Sequence, residues 1–438
     1  MKLSTRLTTT LSALLLAGLT ATATGCAPST SDNRGDGADR KTGTLRVWLF
    51  QEVNNKPKAA IVDKAVNAFT ARHEGVKVDV RYIPVESRAE RMKAAFNDPS
   101  SAPDLVEYGN TDTAGYVRDG GLADVTAEFD AWDEAKDTDR TARGSVTVDG
   151  KVYGAPLFVG VRALYYRTDV FDDLGLKPPR TLKEVADTAR RIRAERPDMY
   201  GLAVGGAYTY GAMPFVWAHG GDIATERDGR FRAAVDSPAS RAGITAYTDL
   251  FGKDNCPASR CARMGGNDTV EAFAAGKAGM AIAGDFSRQA VESGQVKGKY
   301  AVVPLPGVKT GEIAPAFAGG NNLGVLRSTS HRTLAVELMR ELAGKQTQRE
   351  LFDAMGFLPT FDDVRKEVAA DEPFVEPFVR TLRAGARFVP ATPAWGQIDA
   401  GQVLPTMFQE IASGRKDVDT ASADAARRMN ADFAKAAS

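Results

Sequence analysis

The sequence predicts an α/β protein organised as two lobes with a hinge and a cleft between them. Short runs in which apolar and polar residues alternate, as in strands, are separated by stretches with apolar residues three and four apart, as in helices. Two such series of similar size follow one another, and strand-like runs recur late in the chain, so the chain visits its lobes more than once. Its 438 residues, 43% hydrophobic and 26% charged, suit two or three globular domains. In open α/β sheets ligands bind beyond the carboxyl ends of the strands, and a cleft between two such units is the natural site.

The first series opens at "GTLRVWLF" (Gly43 to Phe50), where Leu45, Val47 and Leu49 alternate with Arg46 and Trp48. Ile61, Val62, Ala65, Val66 and Phe69 then form the apolar stripe of a helix. Val76, Val78 and Val80 alternate with charges in a second strand, a helix covers Ser87 to Phe96, and "APDLVEY" reads as a third strand. Strand and helix in alternation are the mark of a parallel sheet covered by helices.

The second series begins near Gly150. "VRALYYRTDVF" is a strand running into a turn. "TLKEVADTARRIRAER" is a helix whose Thr181 and Glu184 form a capping box. "GLAVGG", "KYAVVPLP" and "GGNNLGVL" are strand-like, with helices at "AMPFVWAHGG", "SRAGITAYTDLFG" and "DTVEAFAAGKAGMAI" between them. From His331 onward the pattern is mostly helical.

Charge narrows the function. Lys plus Arg equals Asp plus Glu, 56 each, so no basic excess points to a nucleic-acid partner. The N-terminus has the layout of an export signal over residues 1–25: Lys2 and Arg6, the apolar core "LSALLLAGL", then small residues. The following tract, rich in Ser, Asp, Gly and Arg, reads as a disordered tether over 26–42. Of the three cysteines, Cys26 ends the signal, and Cys256 and Cys261 lie close together in a polar loop. In an oxidising compartment a disulfide between the latter two is expected. Metal is the rival reading, with no histidine nearby.

The ordered set of these stretches resembles the extracellular sugar-binding lipoproteins of bacterial ABC importers, the group that includes maltose-binding protein. "LRVWLF" resembles the opening strand, and "APDLVEYGNTDTAGYVRDGGLADVT" the stretch in which Pro-Asp introduces a strand ending at the cleft. "VDGKVYGAPLFVGVRALYYRTDVFDDLGL" resembles the crossing between lobes, and "FAAGKAGMAIAGDF" a further family stretch. Arg167 departs from the asparagine usual at its position. The resemblance implies a periplasmic-binding-protein-like fold that closes on a sugar and delivers it to membrane permease subunits. It also implies a monomer, no cofactor and no catalysis. It places lobe 1 at 43–153 and 304–344 and lobe 2 at 154–303 and 345–438, with the hinge near Tyr153 to Leu157 and Val302 to Pro306. The "ATGC" before and including Cys26 is similar to a lipid-attachment site, with Ala23 in place of the usual leucine. The chain is then expected on the outer face of the cytoplasmic membrane.

A sugar offers hydroxyls around its ring and C–H faces above and below, so its site needs aromatic planes and a few orienting polar groups. Trp217, ahead of a Gly-Gly turn, and Trp395, between prolines and a glycine, stand where the family carries cleft aromatics, with core packing as the alternative. Trp132 reads as a packing residue, and Trp48 as core or cleft edge. The turn after the first strand concentrates Gln51, Glu52, Asn54 and Asn55, with an ordinary Asx turn as the alternative. Asn110 follows the third strand and Arg162 lies beyond the crossing. Asp285 and Phe286 stand where the family often carries an aromatic, and Asn321 and Asn322 follow two glycines. These amides suit an N-acetylated sugar, and "WLFQEVNNKPK" with "DLVEYGNTDTAGYVRDGG" is similar to the chitobiose and N-acetylglucosamine binders of actinobacteria. Cellobiose or maltose would fit the same chemistry. An exported glycoside hydrolase would need two carboxyl groups at a set separation, and no motif singles out such a pair. No Gly-x-Ser-x-Gly elbow supports a serine hydrolase.

Overall fold

The computed structural model describes residues 39–52, 55–84 and 87–437. The export signal, Cys26, most of the tether and Asn54 lie outside the described residues. The end of the expected tether is already docked: the Arg40 amide donates to the Ser330 carbonyl at 2.7 Å, and the Thr333 amide to the Asp39 carboxylate at 3.2 Å.

The first lobe forms as its apolar spacing predicts. Strand β1 (Gly43–Phe50) buries Leu45, Val47 and Leu49 on one face. Helix α1 (Lys56–Arg72) starts with Pro57, tolerated there because the first helical N–H groups have no partner within the helix. Its Val62, Ala65 and Phe69 bury against the sheet. Strand β2 (Val76–Ile83), helix α2 (Arg88–Asn97), strand β3 (Leu105–Gly109) and the short helix α3 (Thr113–Arg118) follow. Strand β4 (Ala155–Gly160) closes this part.

The second lobe starts with strand β5 (Arg162–Arg167). Helix α4 (Leu182–Glu195) carries the expected cap: Thr181 Oγ1 accepts from the Glu184 amide at 3.1 Å. The Glu184 carboxylate turns back to the Arg180 amide at 2.8 Å, one residue earlier than the standard capping box. Strand β6 (Tyr200–Ala203), helix α5 (Thr209–Ala218), helix α6 (Gly266–Ala274), strand β7 (Ala278–Gly284) and strand β8 (Tyr300–Val303) complete its frame. The chain then returns through strand β9 (Gly319–Val325), helix α7 (Arg332–Ala343) and helix α8 (Lys345–Met355), and ends with helices including α9 (Trp395–Ala400) and α10 (Val418–Ala437).

Two sheets result. The first has the order β2-β1-β3-β9-β4, with β1 parallel to β2 and β3, and β9 antiparallel to β3 and β4. The second has the order β8-β5-β7-β6, with β5 antiparallel to both its neighbours. These pairings move the expected boundaries. Residues 155–160 belong to the first sheet rather than the second lobe, and the first crossing falls at Val161. Leu305, Ala314 and Phe317 pack in the second lobe's core, so the return falls between Phe317 and Gly319. Helix α8 packs its Leu351 into the first lobe's core, so a third crossing follows near Phe357 and Leu358. The reason is physical: a buried strand such as Pro156 to Val159 is equally apolar in either sheet, so its pattern reports burial and not partner.

The crossings are tied by specific bonds. Asp285 Oδ1 accepts the Val161 amide at 2.9 Å, and Asn110 Nδ2 donates to the Ala318 carbonyl at 3.0 Å. Gly320 has φ of 134°, and a Cβ there would lie 2.2 Å from the Phe158 carbonyl oxygen, so only glycine fits. Asp285 is 4% exposed, and burial pushes its carboxyl up to about 7 against the pull of the Val161 amide. Cys256 and Cys261 are bonded, with sulfurs 2.03 Å apart, in the second lobe's core.

Two outcomes follow from these contacts. A free aspartate titrates at about 3.9, so between about pH 4 and pH 7 only the folded chain holds the Asp285 proton, and stability falls as pH rises through that window. Asp285→Asn should remove that fall, on the order of 3 kcal/mol, so that its melting temperature gains on the wild type from pH 5 to pH 8. An equal gap at both pH values would refute this. Replacing Cys256 and Cys261 with alanine should lower stability by about 2 kcal/mol in urea unfolding, because the bond closes only a short loop; an unshifted midpoint would show that the cross-link adds nothing.

Candidate functional site

The carboxyl ends of β1 and β3 meet at a buried ionic cluster. The Lys58 ammonium, at the start of α1, donates to the Phe50 carbonyl at 3.0 Å, to Glu52 Oε1 at 3.1 Å and to Glu107 Oε2 at 2.9 Å. Burial pulls the Lys58 pKa down, but Glu107 and then Glu52 outweigh it and hold it above its ordinary value. Glu107 also accepts the Phe50 amide at 2.8 Å and Asn321 Nδ2 at 2.6 Å. Asn55 Oδ1 accepts the Glu52 amide, three residues earlier, at 3.1 Å. Asn322, in turn, exchanges bonds with Ser145.

On the second lobe, Arg162 stands at the start of β5, immediately after the first crossing. Its Nε donates to the Tyr208 hydroxyl at 2.8 Å. Its guanidinium carbon lies 5.4 to 5.7 Å from the ring centres of Tyr208, Tyr210, Phe286 and Phe317. Tyr210 and Phe317 stack with centres 4.3 Å apart. Phe286 is 46% exposed, so this box presents an apolar ring to solvent beside a charge.

Three cavities lie between the lobes. One of about 630 Å³ is lined by Thr111, Asp112 and Tyr116 of the first lobe and by Pro393, Gly396 and Gln397 of the second. A second, of about 770 Å³, lies between Arg118 and Asp149 on one side and Arg230, Phe231 and Asn430 on the other. There Arg118 Nη1 donates to the Ala436 carbonyl at 2.7 Å, linking α3 to the end of α10. The exposed ring of Phe286 borders a third, of about 520 Å³, with Arg288 of its own lobe and Asp353 and Met355 of α8. Arg88 Nε donates to Asp112 Oδ2 at 3.5 Å. Burial raises the Asp112 carboxyl, Arg88 opposes that, and the charge of Asp399 on α9 adds to it. The Tyr210 hydroxyl is held up by burial, then by Asp399, with Arg162 opposing and Asp112 adding. Charges from both lobes thus act on one another across the cleft. Among the described residues, no group of three His, Cys, Asp or Glu side chains is placed to hold a metal.

The sequence-derived candidates divide accordingly. Gln51 is exposed beyond β1, and Arg162 and Phe286 share the aromatic box. Glu52 sits in the same turn with one oxygen bound to Lys58. Asn55, Asn110 and Asn321 lie near the strand ends, but their amides are used within the protein. Asp285 holds the crossing backbone through one carboxyl oxygen and lines the third cavity beside Phe286. The two tryptophans expected as stacking planes are core residues: Trp217 is 2% exposed and Trp395 3%. The short α9 buries Trp395 and Ile398, which turns Gly396 and Gln397 towards the cleft. Trp217 lies in a helix buried on nearly every side, its indole N–H donating to Asp222 at 3.2 Å. Trp132 packs edge-on against Phe129 and Phe361, as expected.

Sequence reasoning missed Asp112, Asp399, Arg88, Tyr208, Tyr210 and Phe317. Asp112 ends the "EYGNTD" stretch already singled out, and the Tyr-Thr-Tyr at the start of α5 was a readable aromatic pair. Arg88, Phe317 and Asp399 carry no local signal, because the fold alone brings them together.

Comparison with known proteins agrees with this architecture. The chain is 23% identical over 432 residues to the diacetylchitobiose binding protein DasA of Streptomyces coelicolor, with 97% of each chain covered. It is 24% identical to the galactooligosaccharide-binding protein of Bacillus subtilis, with 92% of each covered. Its fold matches the sugar-binding protein MalE of Xanthomonas citri with a TM-score of 0.78 at 20% identity, covering 90% of this chain and 98% of that one. The family model described as bacterial extracellular solute-binding protein matches residues 54–349, more than half the chain. With two lobes, a tied hinge and a polar and aromatic cleft between them, the chain belongs to the bacterial extracellular solute-binding protein family.

Proposed function

We propose that this protein captures an oligosaccharide, N,N'-diacetylchitobiose or a related amino sugar, in the interlobe cleft and delivers it to the membrane permease of an ABC importer. The observation that carries this reading is the Arg162 box: a guanidinium held among four rings, one of them Phe286 with nearly half its surface open. An apolar ring suits the C–H face of a sugar, and a fixed guanidinium suits its oxygens. Asp112, Gln397 and Gln51 supply further polar groups at the cleft. The likeness to the diacetylchitobiose binding protein along nearly the full length supports the choice of sugar. The likeness to the galactooligosaccharide-binding protein makes galactosides the second candidate. In this reading the chain is a monomer, is made with an export signal over 1–25 and is held through a lipid on Cys26 at the outer face of the cytoplasmic membrane.

Mature protein is mixed with diacetylchitobiose, galactobiose, cellobiose and maltose, and melting temperature and products are followed together. Diacetylchitobiose should stabilise it by RT ln(1 + [L]/Kd), about 2.7 kcal/mol at one hundred times Kd, and remain intact. Hydrolysis of any sugar would make it an exported glycoside hydrolase, and a shift with none would end the sugar reading. Phe286→Ala and Arg162→Met should each weaken binding tenfold or more, about 1.4 kcal/mol, with little change in melting temperature. For the anchor, Cys26→Ser should move the protein from the membrane fraction to the medium; membrane levels equal to wild type would overturn it.

A further inference from the structure

Lys58 is 1% exposed and lies outside every cavity described above. Its ammonium faces two carboxylates, and Glu107 is 0% exposed. Breaking a buried ion pair is destabilising, but replacing the whole pair with apolar residues of similar volume is often neutral or favourable. The cluster is therefore poorly explained as a source of stability. What it does supply is geometry. Through one cation it joins the end of β1 at Phe50, the turn at Glu52 and strand β3 at Glu107, and through Glu107 it reaches Asn321 next to the glycine hinge of β9.

Glu107 is fully occupied, accepting from Lys58, the Phe50 amide and Asn321. Glu52 is the open end: its side chain is 25% exposed, Oε1 is held by Lys58, and Oε2 has no hydrogen-bond partner among the described residues. It lies just beyond the carboxyl end of a parallel strand, where ligands of open α/β sheets bind. We infer that Lys58 is a positioning residue for ligand capture: through Glu107 and Glu52 it presents a preset carboxylate acceptor to a ligand hydroxyl and couples that acceptor to the hinge strand. This rests on the reading that the cleft takes a sugar. Pre-organised acceptors gain affinity because the ordering is complete before the ligand arrives.

The test separates position from stability. Lys58→Met alone would strand the Glu107 charge, so the double variant Lys58→Met/Glu107→Gln removes both charges at similar volume and leaves an amide to meet the Phe50 amide and Asn321. It should melt within a few degrees of wild type, yet bind diacetylchitobiose at least tenfold more weakly by calorimetry. Glu52→Gln should cause a similar loss in the wild type and little further loss in the double variant, since Glu52 is already unanchored there. Wild-type affinity in the double variant, or an equal Glu52→Gln effect in both backgrounds, would overturn the inference. A melting temperature far below wild type would also overturn it, by making the cluster a stability element. Without ligand, amide exchange at Phe50 to Glu52 and at Gly319 to Asn321 should quicken in the double variant while Leu334 to Leu342 is unchanged. If no sugar binds the wild type, the sugar reading fails, and unchanged exchange at Phe50 to Glu52 would separately refute the positioning role.

Discussion

A chain that passes between two sheets three times must satisfy its backbone at every passage, and the rest of this structure is arranged around that need. A strand inside a sheet finds its partners in its neighbours, but at a crossing the neighbours end. Here the Asp285 side chain accepts the Val161 amide, the Asn110 side-chain amide donates to the Ala318 carbonyl, and the Val159 amide donates to the Leu358 carbonyl at 3.0 Å. Gly320 brings the returning strand against Phe158 more closely than any side chain would allow. Lobes joined this way are held at several points yet remain separate packed bodies.

The same junctions position the cleft. Arg162 follows the first crossing directly, and Phe317 precedes the second by a residue, so the aromatic box is assembled by the hinge segments themselves. Tyr208 and Tyr210 come from the start of α5 and Phe286 from the turn after β7. The guanidinium at the centre bonds one tyrosine and lies over the other rings, which lysine would do poorly. Asp112 and Asp399 come from different lobes, and the charge of Arg88 acts on both against the effect of burial. Movement of one lobe against the other would alter this charge balance.

Large aromatics did not end where their chemistry first suggested. Trp217 and Trp395 have the size to stack on a sugar, but they also bury more apolar surface than most other side chains, and in α5 and α9 that second property wins. Trp395 still serves the cleft by fixing the helix that carries Gln397 and Asp399. The asparagines show the converse. Asn55, Asn110 and Asn321 stand at the strand ends as their positions in the sequence imply, yet each closes an internal bond. An amide near a cleft answers first to unsatisfied backbone and buried charge.

Elements and their order were legible because they depend on local periodicity: β1, α1, β2 and the capped α4 read directly from apolar spacing and from Thr181 and Glu184. The two-lobe class was legible from the two successive strand-and-helix series, whereas Phe286 was singled out only through the family resemblance. By itself the sequence determined which segments are strands and helices, which faces bury, and that the chain carries the elements of two α/β units. Only the tertiary structure decided that Ala155 to Gly160 joins the first sheet, that Trp217 and Trp395 turn inward, and that Lys58 meets Glu107 from 49 residues away. Strand partners, side-chain neighbours and ion pairs are relations between distant segments, and local periodicity carries no information about which distant segment will arrive.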